Sequence, residues 1–204
     1  MSRLLLVRHG ETELNSAERY WGYTDVKLGA LGFSQAERLR DRLATEKIDA
    51  IYSSDLKRAL VTAKTIAARH QLDVTPCAEL REINFGKVEG LNLEEVTEFF
   101  PEFAAKWRAT RSVDLEFPDG ESLTELGKRV GGFLDRLKKH TDEETVLVVA
   151  HAGVIRTLIC QLVGLELRYL YQIHVDLGSL SIVELYPTEA ILCRLNDISH
   201  LNGI

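Results

Sequence analysis

The sequence predicts an α/β fold: a three-layer sandwich in which a mostly parallel, mixed sheet carries helices on both faces. Three observations lead there. Short unbroken apolar runs, Leu4-Leu5-Leu6-Val7 and Val146-Leu147-Val148-Val149, read as strands buried on both faces. Strand segments near residues 4–8, 50–52, 74 and 146–150 alternate with helical patterns starting near Ser34, Asp55 and Leu123, the order expected of a parallel sheet. Residues 180–185 and 191–194, joined through Pro187, read as a hairpin-like edge.

The first strand runs into Arg8-His9-Gly10-Glu11-Thr12. A cation, an imidazole and a glycine are thereby delivered to one point at the carboxyl end of a strand, where ligand sites of open α/β sheets lie. The glycine lets the backbone approach a ligand closely. The second strand, Ile51-Tyr52, breaks at Ser53-Ser54 and enters a helix in which Leu56, Ala59, Leu60, Ala63 and Ala67 recur at helical spacing as the buried stripe. Ser54 or Asp55 is expected to cap that helix. Counting about 100° per residue from Leu56 puts Arg58 roughly 200° round, away from the core, on the first turn near the strand ends. Its plain alternative is a solvated helix-face arginine.

Residues 91–120 hold Leu93, Val96, Phe99, Phe100, Phe103 and Trp107 among charged side chains. This reads as a helical insertion packing on the sheet, whose aromatic residues would also form a lid over the site. The next helix is well marked: Ser122 and Glu125 make a capping-box pattern, and Leu123, Leu126, Val130, Phe133, Leu134 and Leu137 follow helical spacing. Gly127 and Gly131 within it suggest close packing despite their cost to helix propensity. The strand at 145–150 then enters His151-Ala152-Gly153 and another helix, whose N-terminus favours phosphate. His151 thus occupies a strand end equivalent to that of His9. His70 and His140 fall near helix ends, where interaction with the C-terminal dipole is the simplest role; His174 and His200 have no catalytic context.

Composition bounds the function. A chain of 204 residues with 45% apolar content forms one core easily, so a single domain over 1–204 is expected. A net charge of -6 with no extended basic face argues against nucleic acid as a partner. No stretch of about 18 apolar residues exists to cross a membrane, and Met1-Ser2-Arg3 leads into a core strand with nothing resembling a signal peptide. Cys77, Cys160 and Cys193 read as buried free thiols of a reducing, cytoplasmic compartment. None has metal-ligand spacing with a histidine, so neither metal nor cofactor is expected.

The residues permit phosphoryl transfer in two displacements, because an imidazole is a competent phosphoryl acceptor. His9 would attack through one ring nitrogen while the other donates to an acceptor such as a backbone carbonyl. Arg8 and Arg58 would each offer a fork of donors to two phosphoryl oxygens, and His151 would complete the cage.

Taken together, Arg8-His9-Gly10-Glu11-Thr12, Tyr52-Ser53-Ser54 through Arg58-Ala59, Glu82-Ile83-Asn84-Phe85-Gly86-Lys87-Val88-Glu89-Gly90, Gly120-Glu121-Ser122 and Ala150-His151-Ala152-Gly153 resemble the motifs of the histidine phosphatase superfamily, which contains the cofactor-dependent phosphoglycerate mutases. The resemblance spans nearly the whole chain. It implies a phosphoglycerate mutase-like fold, a phosphohistidine intermediate on His9 and a general acid at Glu82, with Glu89 as the competing assignment. It further implies Asn15, Trp21, Gly22 and Ala152 as substrate or phosphate contacts. A glutamate with a reference pKa of about 4.3 acts as an acid near neutrality only if burial or a bound phosphate raises that value.

Departures from the family pattern bear on substrate. The mutases carry Arg, Tyr and Lys around the acid motif, where this chain resembles them in position but has Ile83, Phe85 and Leu93. A cationic carboxylate clamp is therefore expected to be missing. The chain is more similar to the phosphatase branch, which includes α-ribazole phosphatases and broad-specificity phosphatases; its ending Leu195-Asn196-Asp197-Ile198-Ser199-His200-Leu201 resembles that branch too. The expectation is a monomer or homodimer hydrolysing a small-molecule phosphomonoester of a moderately bulky, partly apolar alcohol. The α-ribazole type comes first, with a place in cobalamin biosynthesis. Two alternatives stand beside it: a phosphoglycerate mutase, and a non-catalytic phosphate-binding module.

Overall fold

The structure, a computed structural model, describes residues 2–14, 19–140 and 143–203. Six strands, β1 (Ser2–Arg8), β2 (Ala50–Ser54), β3 (Val74–Cys77), β4 (Thr145–Ala150), β5 (Leu180–Leu185) and β6 (Ala190–Asp197), form one sheet in the order β3-β2-β4-β1-β5-β6. Only β5 runs against the others, which makes the sheet mixed and mostly parallel as expected.

The pleat of β1 separates two cores. Leu5 and Val7 face α1 (Ala30–Leu43) and α2 (Lys57–Ala67), while Leu4 and Leu6 face α5 (Leu123–Leu137) and α6 (Ala152–Leu162). All four side chains are buried, and each contributes roughly 1.5–3 kcal/mol through loss of apolar surface from water. Helices thus cover both faces, giving the three layers.

Register then positions the site. β1 and β4 pair in parallel with Arg8 opposite Ala150, and the His9 amide donates to the Ala150 carbonyl at 3.1 Å. His9 and His151, the next residue on each strand, therefore leave the sheet side by side.

Several local expectations need correction. Helix α1 begins at Ala30 rather than near Ser34, because its first turn exposes Leu31 and Phe33 and buries only Gly32, leaving no apolar stripe to read. Neither Ser54 nor Asp55 caps α2: Asp55 is taken by Arg81, and the Lys57 amide donates instead to Asp25 at 2.7 Å. Leu60 is only partly buried. Cys77 and Cys160 are buried, but Cys193 is exposed because it lies on the edge strand β6. His140 bonds through its ring to the Tyr52 hydroxyl (3.0 Å) and Glu144 (2.6 Å), not to a helix end. Burial lowers the pKa of His70, so it supplies no charge at neutral pH to the end of α2. His174 pairs with Asp176, and His200 bonds to the Gly178 carbonyl. Of the two glycines in α5, Gly127 alone lies in close contact: a Cβ there would meet Leu167 at 2.6 Å, whereas at Gly131 nothing is nearer than 3.9 Å.

The 91–120 region contains α3 (Leu93–Phe99), started by an Asn92/Glu95 capping box, and α4 (Pro101–Thr110). Phe103, Trp107 and Phe117 pack with Tyr20 and Phe85 at ring-centroid separations of 4.9–6.0 Å. These aromatic contacts anchor the insertion above the carboxyl end of the sheet.

Helix α5 carries both bonds of its capping box: the Ser122 hydroxyl accepts from the Glu125 amide (3.2 Å), and the Glu125 carboxylate accepts from the Ser122 amide (2.9 Å). Replacing Ser122 by Ala should lower unfolding stability by about 1 kcal/mol. Urea denaturation would read this as a lower midpoint at unchanged m.

Candidate active site

The His9 ring has one nitrogen committed. Its Nδ1 lies 2.7 Å from the Gly10 carbonyl, which can only accept, so Nδ1 carries the proton and Nε2 has the lone pair. His151 shows the opposite arrangement. Arg58 Nε donates to its Nδ1 at 3.2 Å, which puts the proton of the neutral ring on Nε2, a buried atom without a partner. The ring centroids lie 5.0 Å apart at 61°. One ring thus keeps a lone pair on Nε2 and its neighbour an unused N–H on Nε2.

Burial, reinforced by the Arg58 and Arg8 charges, holds the pKa values of both histidines well below the usual range. Both are neutral at pH 7, the state that a nucleophilic imidazole requires.

Arg58 departs from its expected setting. It does point away from the apolar stripe of α2, but with 1% exposure it is no solvated arginine. The loop carrying Trp21 and Gly22 closes over it, and its guanidinium donates to Thr24, Gly22 and Trp21 carbonyls at 2.8, 2.7 and 3.4 Å. With Nε on His151, four of its five N–H groups are used, so the expected two-oxygen fork is not free. Arg8 keeps more. It donates once, to the Val175 carbonyl at 2.7 Å, and its Nε is buried without a partner. Burial lowers both arginine pKa values, that of Arg8 to about 10, which leaves both charged at neutral pH.

Glu82 reaches the same centre after β3. Its Oε1 accepts from the Ile83 amide (3.0 Å) and its Oε2 from the Gly153 amide (3.2 Å) in the first turn of α6. A Cβ at 153 would stand 2.5 Å from Glu82 Oε1, so a side chain there would push the carboxylate from this position. Glu89 is not placed to compete. It accepts from the Tyr23 and Thr24 amides and the Thr24 hydroxyl, fastening the loop over Arg58. The structure brings together His9, Arg8, Arg58, Glu82 and His151, with Trp21, Gly22 and Ala152 around them; Asn15 lies outside the described residues.

A cavity of about 520 Å³ opens beside Glu82, Ala152 and Gly153. Ile83, Phe85 and Leu93 line it, as do Tyr20, Trp107, Phe117 and Tyr171. The acid motif supplies no cation here. Arg108 and Arg111, at the end of α4 and just beyond it, and Arg156 of α6 nevertheless bring three guanidinium groups to the wall, so positive charge enters the cavity from elements other than the acid motif. Arg156 Nε is buried and, among the described residues, bonds to nothing.

Sequence reasoning missed Arg156 and Arg129. Arg156 follows Ala152 by four residues, which places both on one helix face. Arg129 lies three residues after Leu126 and four before Phe133, at the border of the α5 stripe, where charge normally signals solvent. It is instead paired with Glu121 at 2.8 Å, and that pairing outweighs burial to hold its pKa above the usual value.

Adjacent strand-end histidines, two buried arginines and one carboxylate thus gather at the carboxyl ends of β1 and β4. The profile of the histidine phosphatase superfamily (branch 1) matches residues 4–198, and the chain belongs to that family. Among its relatives, phosphoserine phosphatase 1 of Hydrogenobacter thermophilus is 37% identical over 98% of this chain and 95% of its own. The adenosylcobalamin/alpha-ribazole phosphatase of Escherichia coli is 31% identical over 95% of each chain. The solved alpha-ribazole phosphatase of Shigella flexneri superposes with a TM-score of 0.88 at 31% identity, covering 96% of each chain. The protein is a phosphatase with the phosphoglycerate mutase-like α/β fold. Among the described residues no helix is long and apolar enough to cross a membrane.

The depressed histidines make stability depend on pH with a definite sign. Below about pH 6.5 the unfolded chain binds protons that folded His9 and His151 refuse, so stability is full above that pH and falls as pH drops, by up to about 1.4 kcal/mol per unit for each group. In phosphate-free buffer, the urea midpoint of the wild type should fall more steeply between pH 7 and 5.5 than that of His9→Gln, which lacks one of the two groups. Parallel curves would show that His9 is not held neutral by the fold.

Proposed function

We propose that the protein hydrolyses a phosphomonoester through a phosphohistidine at His9. The observation that carries this reading is the committed Nδ1 of His9, which leaves the lone pair on Nε2, with the His151 ring 5.0 Å away and buried, unused donors on His151 and Arg8. Nε2 attacks phosphorus as the ester P–O bond breaks. The Nε–Nη edge of Arg8 and the Nε2–H of His151 take the equatorial oxygens, while Arg58 adds charge and fixes the His151 tautomer. Glu82, in its protonated form, gives its proton to the leaving oxygen. In the second displacement Glu82 takes a proton from the water that attacks phosphorus, the N–P bond breaks, and phosphate leaves.

The alcohol occupies the aromatic cavity beneath the 91–120 insertion, which acts as its lid. Size and aromatic walls favour a bulky, partly apolar alcohol, with α-ribazole-5'-phosphate as the first compound to test; the similarity to alpha-ribazole phosphatases supports this choice. A second reading, a small carboxylated alcohol such as that of phosphoserine, is favoured by the unpartnered Arg156 in the wall and by the H. thermophilus relative.

Rapid acid-free quench with a labelled ester should trap phosphate on His9 and none on His9→Ala, with inorganic phosphate as the product. Efficient interconversion of 2- and 3-phosphoglycerate without phosphate release would overturn water as acceptor. Comparison of kcat/KM for α-ribazole-5'-phosphate and phosphoserine separates the two substrate readings. Arg156→Met should cost roughly 10–100-fold on phosphoserine if its carboxylate meets this cation, and leave an uncharged alcohol unaffected.

A further inference from the structure

Gly120-Glu121-Ser122 takes no part in the phosphate cage, yet Glu121 and Arg129 form a largely buried, two-bond pair. Arg129 uses every N–H it has. Nε and Nη2 donate to the Glu121 carboxylate at 3.0 and 2.8 Å. Nη1 donates to the carbonyls of Glu79 and Arg81, both at 2.8 Å, and Nη2 also reaches the carbonyl of Glu82 at 3.2 Å. Glu121 holds the other side of the same segment: its Oε2 accepts from the Asn84 amide at 3.1 Å, and its own amide donates to the Asn84 carbonyl at 2.8 Å. Residues 79–84 are thereby tied to the start of α5 on both sides of Glu82.

We infer that Arg129 and Glu121 are positioning residues that set the Glu82 carboxyl on the leaving-group oxygen. With all five donors spent inside the protein, Arg129 has none for a substrate. Its influence on the reaction therefore passes through the segment that it holds. A lysine could not substitute, since its three donors lack the planar fork that joins a carboxylate to three carbonyls. The inference rests on Glu82 as the acid, and it adds the reason that a carboxyl on an irregular segment has a defined place.

The test compares an alkyl phosphate, whose leaving alkoxide needs a proton, with p-nitrophenyl phosphate, whose leaving group needs little help. The readout is the pre-steady-state rate of phosphoenzyme formation, the step before Glu82 acts as base. Arg129→Met should lower it on the alkyl ester on the order of tenfold or more, the scale of a misplaced general acid, with the half-saturating ester concentration little changed and formation from p-nitrophenyl phosphate within about twofold of wild type. Glu121→Gln keeps the shape of the pair and should shift activity in the same direction by less; it carries the test if Arg129→Met does not fold. In a Glu82→Gln background, Arg129→Met should add no further loss. Equal losses on both esters, or a further loss in that background, would overturn the inference. If Glu82→Gln itself slows both esters alike, the acid assignment fails; if it discriminates and the Arg129 and Glu121 variants do not, only the positioning role fails.

Discussion

The parallel pairing of β1 with β4 is the constraint on which the site depends. Because Arg8 stands opposite Ala150, two histidines distant in sequence leave the sheet as neighbours. A slip of one residue would turn every β1 side chain to the other face. Leu4 and Leu6 would then exchange cores with Leu5 and Val7, and His9 would no longer lie beside His151. The apolar alternation that stabilises the sheet and the geometry that brings the two rings together are thus one specification.

Around that pair the protein gathers positive charge in a chain that is acidic overall. Taking guanidinium groups out of water is costly unless their donors are satisfied. The fold answers differently for each one. Arg58 is satisfied almost wholly by backbone carbonyls and an imidazole, Arg129 by a carboxylate and three carbonyls, while Arg8 and Arg156 keep buried donors unused. Saturated cations shape the site; unsaturated ones mark where an anionic ligand gains most. The same surroundings keep both imidazoles neutral, so a charge balance suited to an anion also leaves the His9 lone pair free.

Much of this was legible in the sequence. Unbroken apolar runs announced the strands, and strand-end placement announced His9 and His151, because both signals are local and periodic. The Ser122 cap was legible for the same reason. What escaped depended on chain segments meeting from afar. The cover over Arg58 escaped because the loop that forms it lies more than thirty residues earlier, and the cap of α2 comes from Asp25 on that same loop. The start of α1 escaped because its first turn presents apolar side chains to solvent, against the usual pattern. The cations of the cavity were missed because they enter from α4 and α6 rather than from the acid motif. Periodicity describes one element at a time, and such features belong to none singly.

Contact between Gly153 and Glu82 has a consequence for how sequences of this kind can vary. The carboxylate fills the volume that any side chain at 153 would need, and it accepts from the amide of that same residue. The two positions, far apart along the chain, share one space. As long as the carboxylate stands in this place, any side chain at 153 must displace it; once residue 82 is small, the first turn of α6 gains room for a methyl group or more. Covariation between these positions would therefore record whether a lineage has kept its carboxylate in this place, with a side chain at 153 as the trace of one that has lost it.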